Sequence, residues 1–385
     1  MKIVYVSDCL YIPMCGAKQS SLAHLKTLKE LVGSENITVI ALTGKNKVYD
    51  NDVITINSYH SKIALFVNSI FGYTTYTNKK IEELIADKLI TDEYDVVFID
   101  NSFYGKLVRK IKEKHDKIWI ISYYHDVKQE LCKQWIENSS IFKVPLFRTM
   151  MKNERLNQSL CDVNLTLNKR ETELFIKHYK KCPTDELGVY LNIPYVKKVD
   201  EKNKLNYNLN LLFVGNYYYP NVKGILWFVK YVWPYLKDKV QLTIVGNGME
   251  RLKNKLPGEI NLYGFVESLA TFYIDADVVI SPIFEGGGMK VKTAEALGYG
   301  KCIVGTSESF EGYVEKMNKK DINRLFYISN TPEEFIEAIS DLQYKGVRKF
   351  NDESRRLYEL YYSEKSAINI FKRSLKIESE GDLCR

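Results

Sequence analysis

Residues 281–306 read SPIFEGGGMKVKTAEALGYGKCIVGT, and this stretch decides the fold. Asp277-Val278-Val279-Ile280 before it is a short apolar run that fits a strand buried on both faces. Pro282 follows where no ladder hydrogen bond is needed. Gly286, Gly287 and Gly288 let backbone amides approach a ligand without side chains in the way. Met289 to Leu297 suits a helix that Gly298 or Gly300 can end, and Cys302 to Gly305 suits a second buried strand. A glycine turn feeding a helix N-terminus offers unpaired N–H groups and a positive dipole end to an anion. Glu295 is seven residues past Gly288, two turns or about 10 Å along the axis. A nucleotide sugar fits that offset, with its diphosphate at the glycines and its ribose at the carboxylate. A tight turn followed by a solvated glutamate is the plainer alternative.

A length of 385 residues suits two domains rather than one core. Hydrophobic content of 45% with 27% charged residues places the chain among globular proteins. A net charge of +7 tolerates acidic partners, but no basic run is dense enough to argue for nucleic acid. Seven scattered cysteines without a CxxC pair indicate neither a disulfide framework nor a zinc site, so a reducing cytoplasm is the expected setting. MKIVYVSD at the start reads as a strand and not as a signal peptide. No apolar stretch approaches the ~20 residues of a spanning helix.

Outward from the deciding stretch, strands and helices alternate along the whole chain. In the first half, strands are expected at Ile3–Val6, Ile37–Ala41, Val53–Ile56, Tyr94–Ile99, Ile118–Ser122 and Val163–Leu167, with Val189–Asn192 closing that half. The loop 8–17 carries Gly16 near its end, and an amphipathic helix over 20–32 puts Leu22, Leu25, Leu28 and Val32 on one face. His125 follows the strand Ile118–Ser122 and the Tyr123-Tyr124 pair, at the end where ligand groups gather in open α/β sheets, and Asp126 flanks it. Residues 139–157, SSIFKVPLFRTMMKNERLN, mix apolar and basic residues. They suit either an interfacial segment on anionic lipid or a partly buried helix. Residues 195–208 are charged and place a linker. The second half restarts the pattern, with a strand at 211–215, a helix over 223–237, and a long helical tail over 352–376. Two such arrays predict two Rossmann-like domains, residues 1–195 and 209–360, facing across a cleft, with 361–385 as a C-terminal helix packing back on the first.

The second half resembles the retaining glycosyltransferases of the GT-B fold known as group one, or family four. LLFVGNYYYPNVKGILWFVKYVWPYL, LTIVGNG, NLYGFVESLATFYIDADVVISPI and GGGMKVKTAEALGYGKCIVGTSESFEGY carry the resemblance, which covers about residues 209–315. The first half matches only loosely, at Gly16 and at His125 after the Tyr-Tyr pair. The resemblance implies transfer of a sugar from a nucleotide-sugar donor to an acceptor hydroxyl, with retention and without metal or other cofactor. It implies that the nucleotide lies on the second domain and the acceptor, with Gly16, on the first. Glu295 then matches the ribose-holding second glutamate of the family's pair. Gly286, Gly287, Gly288, Met289 and Lys290 form the diphosphate turn, and Gly215 and Asn216 the end of the first donor-domain strand. His125 and Lys223 take the catalytic places near the scissile bond, Lys223-Gly224 matching the family's Lys-Gly.

Two departures stand out. Gly287 occupies the place of the first glutamate, with Glu285 out of register. Asn216 replaces an arginine common after that strand. Phosphate charge must then be met by Lys223, Lys290 or Lys292 and by helix amides. The expectation is a cytoplasmic, metal-independent hexosyltransferase-type enzyme. It acts on a glycan or lipid-linked acceptor in surface polysaccharide biosynthesis, in peripheral membrane contact through 139–157. A non-catalytic GT-B scaffold and a nucleotide-sugar epimerase of the same fold are the alternatives. A dinucleotide oxidoreductase is disfavoured, because no strand leads into a clean GxGxxG.

Overall fold

In a computed structural model the described residues are 1–12, 16–44, 53–58, 61–138, 140–196, 208–286, 288–318, 322 and 324–377. Gly287, most of the expected linker and residues 378–385 lie outside them. The chain divides into two compact units, Met1–Gly188 with Ala367–Arg385, and Val189–Ser366.

The first unit runs β1 (Ile3–Ser7), α1 (Gly16–Val32), β2 (Ile37–Thr43), β3 (Val53–Asn57), α2 (Lys62–Ile70), α3 (Lys79–Thr91), β4 (Val96–Ile99), α4 (Gly105–Lys114), β5 (Trp119–Tyr124), α5 (Lys128–Asn138), α6 (Val144–Leu160), β6 (Val163–Thr166), α7 (Lys169–Tyr179) and β7 (Asp185–Glu186). Its sheet is parallel throughout, in the order β3-β2-β1-β4-β5-β6-β7. The inner strands are buried along their length, as covering helices on both faces require. Short β7 was not read from the sequence, which placed the strand at 189–192.

The second unit runs β8 (Leu209–Val214), α8 (Tyr219–Tyr231), α9 (Trp233–Leu236), β9 (Val240–Val245), β10 (Asn261–Tyr263), α10 (Ala270–Asp275), β11 (Val278–Ser281), α11 (Val291–Gly298), β12 (Cys302–Gly305), β13 (Phe326–Ile328), α12 (Pro332–Lys345) and α13 (Asp352–Tyr361). Its parallel sheet has the order β10-β9-β8-β11-β12-β13. α14 (Glu364–Ser374) follows. The helical tail expected over 352–376 is two helices, α13 and α14. Local chemistry explains several boundaries. Thr331 and Glu334 close a reciprocal cap at the start of α12. Pro234 separates α9 from α8, because a mid-helix proline would remove the bond its N–H should make.

Two expectations change on contact with the structure, at α1 and α11, and residues 139–157 take one of their two expected forms. α1 begins at Gly16, and it buries Ser21, His24, Thr27 and Leu28 while Leu22 faces solvent. The leucine spacing was a valid period with the wrong phase, because a polar stripe fills the inner face. Phe147 and Met150 of the 139–157 stretch sit in the first unit's core, so most of that stretch is a packed helix. α11 begins at Val291, two residues later than expected.

Close backbone packing fixes the second unit where β11 ends. A Cβ on Gly224 would lie 2.0 Å from the Pro282 carbonyl oxygen, so α8 rests directly on the chain leaving β11. Gly224→Ala is expected to cost about 1–3 kcal/mol through overpacking. The urea-unfolding midpoint of the variant checks this.

Candidate functional site

In both sheets the winding reverses beside the first strand, between β1 and β4 and between β8 and β11. Crevices at such reversals lie at the carboxyl ends of the strands and are where open α/β sheets hold ligands. The residues singled out by the sequence gather at these two places.

At the second unit's reversal, β8 delivers Gly215 and Asn216, and β11 delivers the 282–288 turn. Gly286 and Gly288 have φ of 128° and 68°, the left-handed side that glycine adopts without strain. Gly286 is exposed and Gly288 buried. The Met289 side chain turns into the interior, which leaves only its backbone for a ligand. Lys290 is the N-cap of α11 and its side chain makes no cap; its carbonyl accepts from the Thr293 amide at 2.8 Å. Its ammonium instead donates to Glu308 at 2.7 Å and to the Gly288 carbonyl at 2.9 Å. Lys223, exposed on α8, pairs with Glu285 at 2.9 Å. The out-of-register glutamate thus has a partner, and that partner is the lysine expected to act in catalysis.

Lys292 has the opposite environment. It is half-buried, donates to the neutral Asn221 Oδ1 at 2.9 Å, and lies 4.4 Å from the centre of the Phe213 ring. Asn221 in turn donates to the Asn216 carbonyl at 3.0 Å. Burial pulls the Lys292 ammonium down to about 7. Glu295 lies four residues past the first helical residue, about 6 Å along the axis and not two turns. Tyr273 donates to its Oε2 at 2.8 Å, and Tyr299 stacks on Tyr273 at 4.8 Å. Burial raises the Glu295 carboxyl above the usual range. Tyr273 and Asn221 are the residues that reasoning from sequence missed as partners. The Pro220-Asn221 pair was visible as a motif, but nothing local revealed what its amide would hold.

At the first unit's reversal, β4 ends in buried Asp100. Ser7 Oγ donates to its Oδ2 at 2.8 Å. His24 Nδ1 lies 3.4 Å from Oδ1, and His125 Nε2 lies 3.3 Å from the same oxygen. The His125 contact is one of proximity more than of hydrogen-bond alignment. Burial opposes ionisation of Asp100, yet the two imidazoles outweigh it and hold its carboxyl well below the usual range. Asp8 is pushed the other way, by burial first and by the Asp100 charge as well. Two neighbouring carboxyls are thereby split, one ionised and one drawn toward its acid form. The flanking Asp126, singled out beside His125, pairs with Lys128 at 3.1 Å. The carboxylate that faces His125 comes from the adjacent strand, and a strand ending Val-Phe-Ile-Asp was the available signal. Gly16 opens α1 and is exposed.

The loop bearing His125 is fixed from behind. Glu154 of α6 is buried and accepts from the Lys128 amide at 2.7 Å and the Gln129 amide at 3.0 Å. It also accepts from Ser102 Oγ at 2.7 Å and Tyr179 OH at 2.6 Å. Glu171 accepts from the Val127 amide at 2.7 Å. These acids meet the free amides at the start of α5. Among the described residues, Cys9, Asp100 and His125 present a sulfur, an oxygen and a nitrogen within 4.8 Å of one another, close enough to hold a cation. Burial, with the charges of Asp8 and Asp100, pushes the Cys9 thiol far up, which suits a protonated thiol better than a ligand thiolate.

The pH dependence of stability follows. His24 is held neutral by burial, with a folded value below its ordinary 6.5. The unfolded chain therefore takes up that proton first, and stability falls as pH drops below about 6.5. Asp100 has a folded value below its ordinary 3.8, so its contribution is full above that pH and is lost on further acidification. Asp100→Asn is expected to remove the second slope and to cost about 2–3 kcal/mol at neutral pH. Urea unfolding between pH 3 and 8 measures both.

Comparison with known proteins adds to this geometry. Residues 208–344 match the family described as glycosyl transferases group 1. An uncharacterized 44.6 kDa protein in the cps region of Klebsiella pneumoniae is 24% identical over 341 residues, 81% of this chain and 84% of that protein. The apo lipopolysaccharide outer core galactosyltransferase WaaB superposes with a TM-score of 0.65 at 14% identity, over 98% of this chain and 99% of that one. The Anabaena protein Alr3699/HepE, solved in complex with UDP and glucose, gives 0.63 at 13% identity over 98% and 99%. The two all-parallel Rossmann-like sheets are those of the GT-B fold, and the segment that matches the group 1 glycosyl transferase model, residues 208–344, lies in the second unit.

Proposed function

We propose that this protein is a glycosyltransferase of the hexosyl type, moving a sugar from a nucleotide-sugar donor to a hydroxyl of a glycan or lipid-linked acceptor. The reaction proceeds with retention, without metal or resident cofactor, at the inner face of a membrane, in surface polysaccharide biosynthesis. One observation carries the reading. Within the matched segment, a helix start without a side-chain cap, a lysine without a carboxylate partner in its hydrogen bonding and a tyrosine-held glutamate stand on one helix. Breaking a glycosyl–phosphate bond leaves negative charge on the diphosphate. Donors already aimed at that charge stabilise it as it grows.

The roles follow from the partners. The amides at the start of α11 and the Gly286–Gly288 turn receive the diphosphate, with Gly287 among them by expectation. Lys292 supplies the cation in place of the arginine absent at Asn216, since Lys290 and Lys223 already hold Glu308 and Glu285. Lys223 becomes a candidate only if the donor displaces Glu285. Glu295 offers its second oxygen to the ribose. His125 meets the sugar, and Gly16, where the loop before α1 gives way to the helix, receives the acceptor.

A second reading draws on Asp100. A carboxylate beside Nε2 favours a proton on that nitrogen and frees Nδ1 to accept one. His125 could then act as a general base for the acceptor hydroxyl, and the product would be inverted. Proton NMR of the new anomeric centre separates the two.

UDP-sugars are the first donors to offer, and a rise in melting temperature reports binding. Turnover is expected to be lost in Glu295→Ala and His125→Ala and to be unchanged by EDTA. A mixed nucleotide-sugar screen giving neither shift nor turnover favours the scaffold reading. Lys292 yields a sharper test. Its value near 7 in the free protein leaves it mostly neutral at pH 8, and a bound diphosphate draws a proton onto it. Calorimetry in buffers of different ionisation enthalpy should show proton uptake on UDP binding at pH 8. Affinity should fall up to about tenfold per pH unit above that value. Lys292→Met should lose the uptake.

A further inference from the structure

The first unit carries an apolar face that its own core leaves uncovered. α2 reads KIALFVNSI and is apolar on both sides. One side packs on α6: the Ser69 carbonyl accepts from Thr149 Oγ1 at 2.6 Å, and the Gly72 carbonyl from Asn153 at 3.1 Å. On the other side Ile63, Val67 and Ile70 recur at steps of four and three, and they are 78%, 42% and 61% exposed. Phe71 extends the row at 67%. The single turn Ile141–Lys143 that leads into α6 adds Ile141 and Phe142, more than 70% exposed each. The Phe66 and Phe142 rings are 6.1 Å apart, so helix and turn form one patch. Patches of this kind on a folded unit mark contact surfaces.

The charge around the patch has one sign. Lys62, Lys143, Arg148 and Lys152 are exposed, and among the described residues none of them is ion-paired. Residues 61–81 and 140–153 contain no Asp or Glu at all. A protein partner presents charges of both signs, whereas an anionic bilayer presents one. We propose that Ile63, Val67, Ile70, Phe71, Ile141 and Phe142 dock this unit on an anionic lipid surface. In that pose α2 lies in the plane of the interface, with its outer row in the acyl boundary. The basic side chains reach back to the phosphates. The proposal rests on the reading that the acceptor is lipid-linked, and it names the surface that brings the enzyme to it.

The test is flotation of the full chain with vesicles of phosphatidylcholine, with and without phosphatidylglycerol. Binding should need the anionic lipid and should weaken with salt. Phe71→Glu with Phe142→Glu should cut partitioning on the order of a hundredfold. Lys62→Ala and Lys143→Ala should cut it by about fivefold each. Each variant is compared with the parent for its melting temperature and for the shift that UDP produces, so a misfolded variant is recognised. Lysine variants that fold normally keep the question decidable if the double glutamate variant does not. No binding by the parent, or undiminished binding by folded variants, overturns the proposal. So does a parent that sediments as a dimer, ignores vesicles and becomes monomeric in the double variant. Vesicle binding without any nucleotide-sugar response would leave the docking face standing and remove the transferase reading. The reverse result would do the opposite.

Discussion

Both candidate sites in this protein depend on where the chain changes winding direction. An all-parallel sheet covers both its faces with helices, so side chains along its strands are sealed from solvent. Only the carboxyl ends beside the reversal stay open, because the helices there diverge to opposite faces. β1 and β4 frame one such opening, and β8 and β11 frame the other. The chain uses the same constraint twice with different chemistry. Acids and imidazoles occupy the first opening, and amides, an asparagine and a lysine the second.

The electrostatics of the two openings are opposite in character. In the first, Asp100 stays ionised against burial because two imidazoles and a serine hydroxyl surround it. The cost of desolvating a carboxylate is offset there by contacts already in place. In the second, Lys292 is desolvated, hydrogen-bonded to a neutral amide beside a ring face, and the nearby Glu295 only partly opposes the effect of burial. A half-buried lysine whose hydrogen bonding engages no carboxylate can still be drawn to an anion that reaches it.

Much of this could be read from one stretch. The period of the apolar runs gave both sheets, and the glycines and Glu295 located the second opening. What could not be read depended on contacts far apart in sequence. Asp100 lies 76 residues from His24, and only strand order brings them together. Lys292 and Lys290 look alike in the sequence, since both flank Val291, yet the fold gives one a carboxylate and the other an asparagine. α1 was phased wrongly because hydrophobicity was taken as the sign of the inner face. That face carries Ser21, His24 and Thr27 beside Leu28, and His24 there lies 3.4 Å from Asp100. The late start of α11 reflects Lys290, whose backbone is extended where helix was expected.

Glu154 has a consequence for evolution. All four groups that reach its two oxygens are donors: two amides, a serine hydroxyl and a tyrosine hydroxyl. A glutamine there would aim its own N–H₂ at some of them, and an aspartate would fall short of the amides it caps. Substitution at 154 is therefore closed off by geometry, although nothing in its surroundings suggests contact with a substrate. A survey of related sequences that ranks residues by invariance would place Glu154 beside the working groups, when what it preserves is only the footing on which His125 stands.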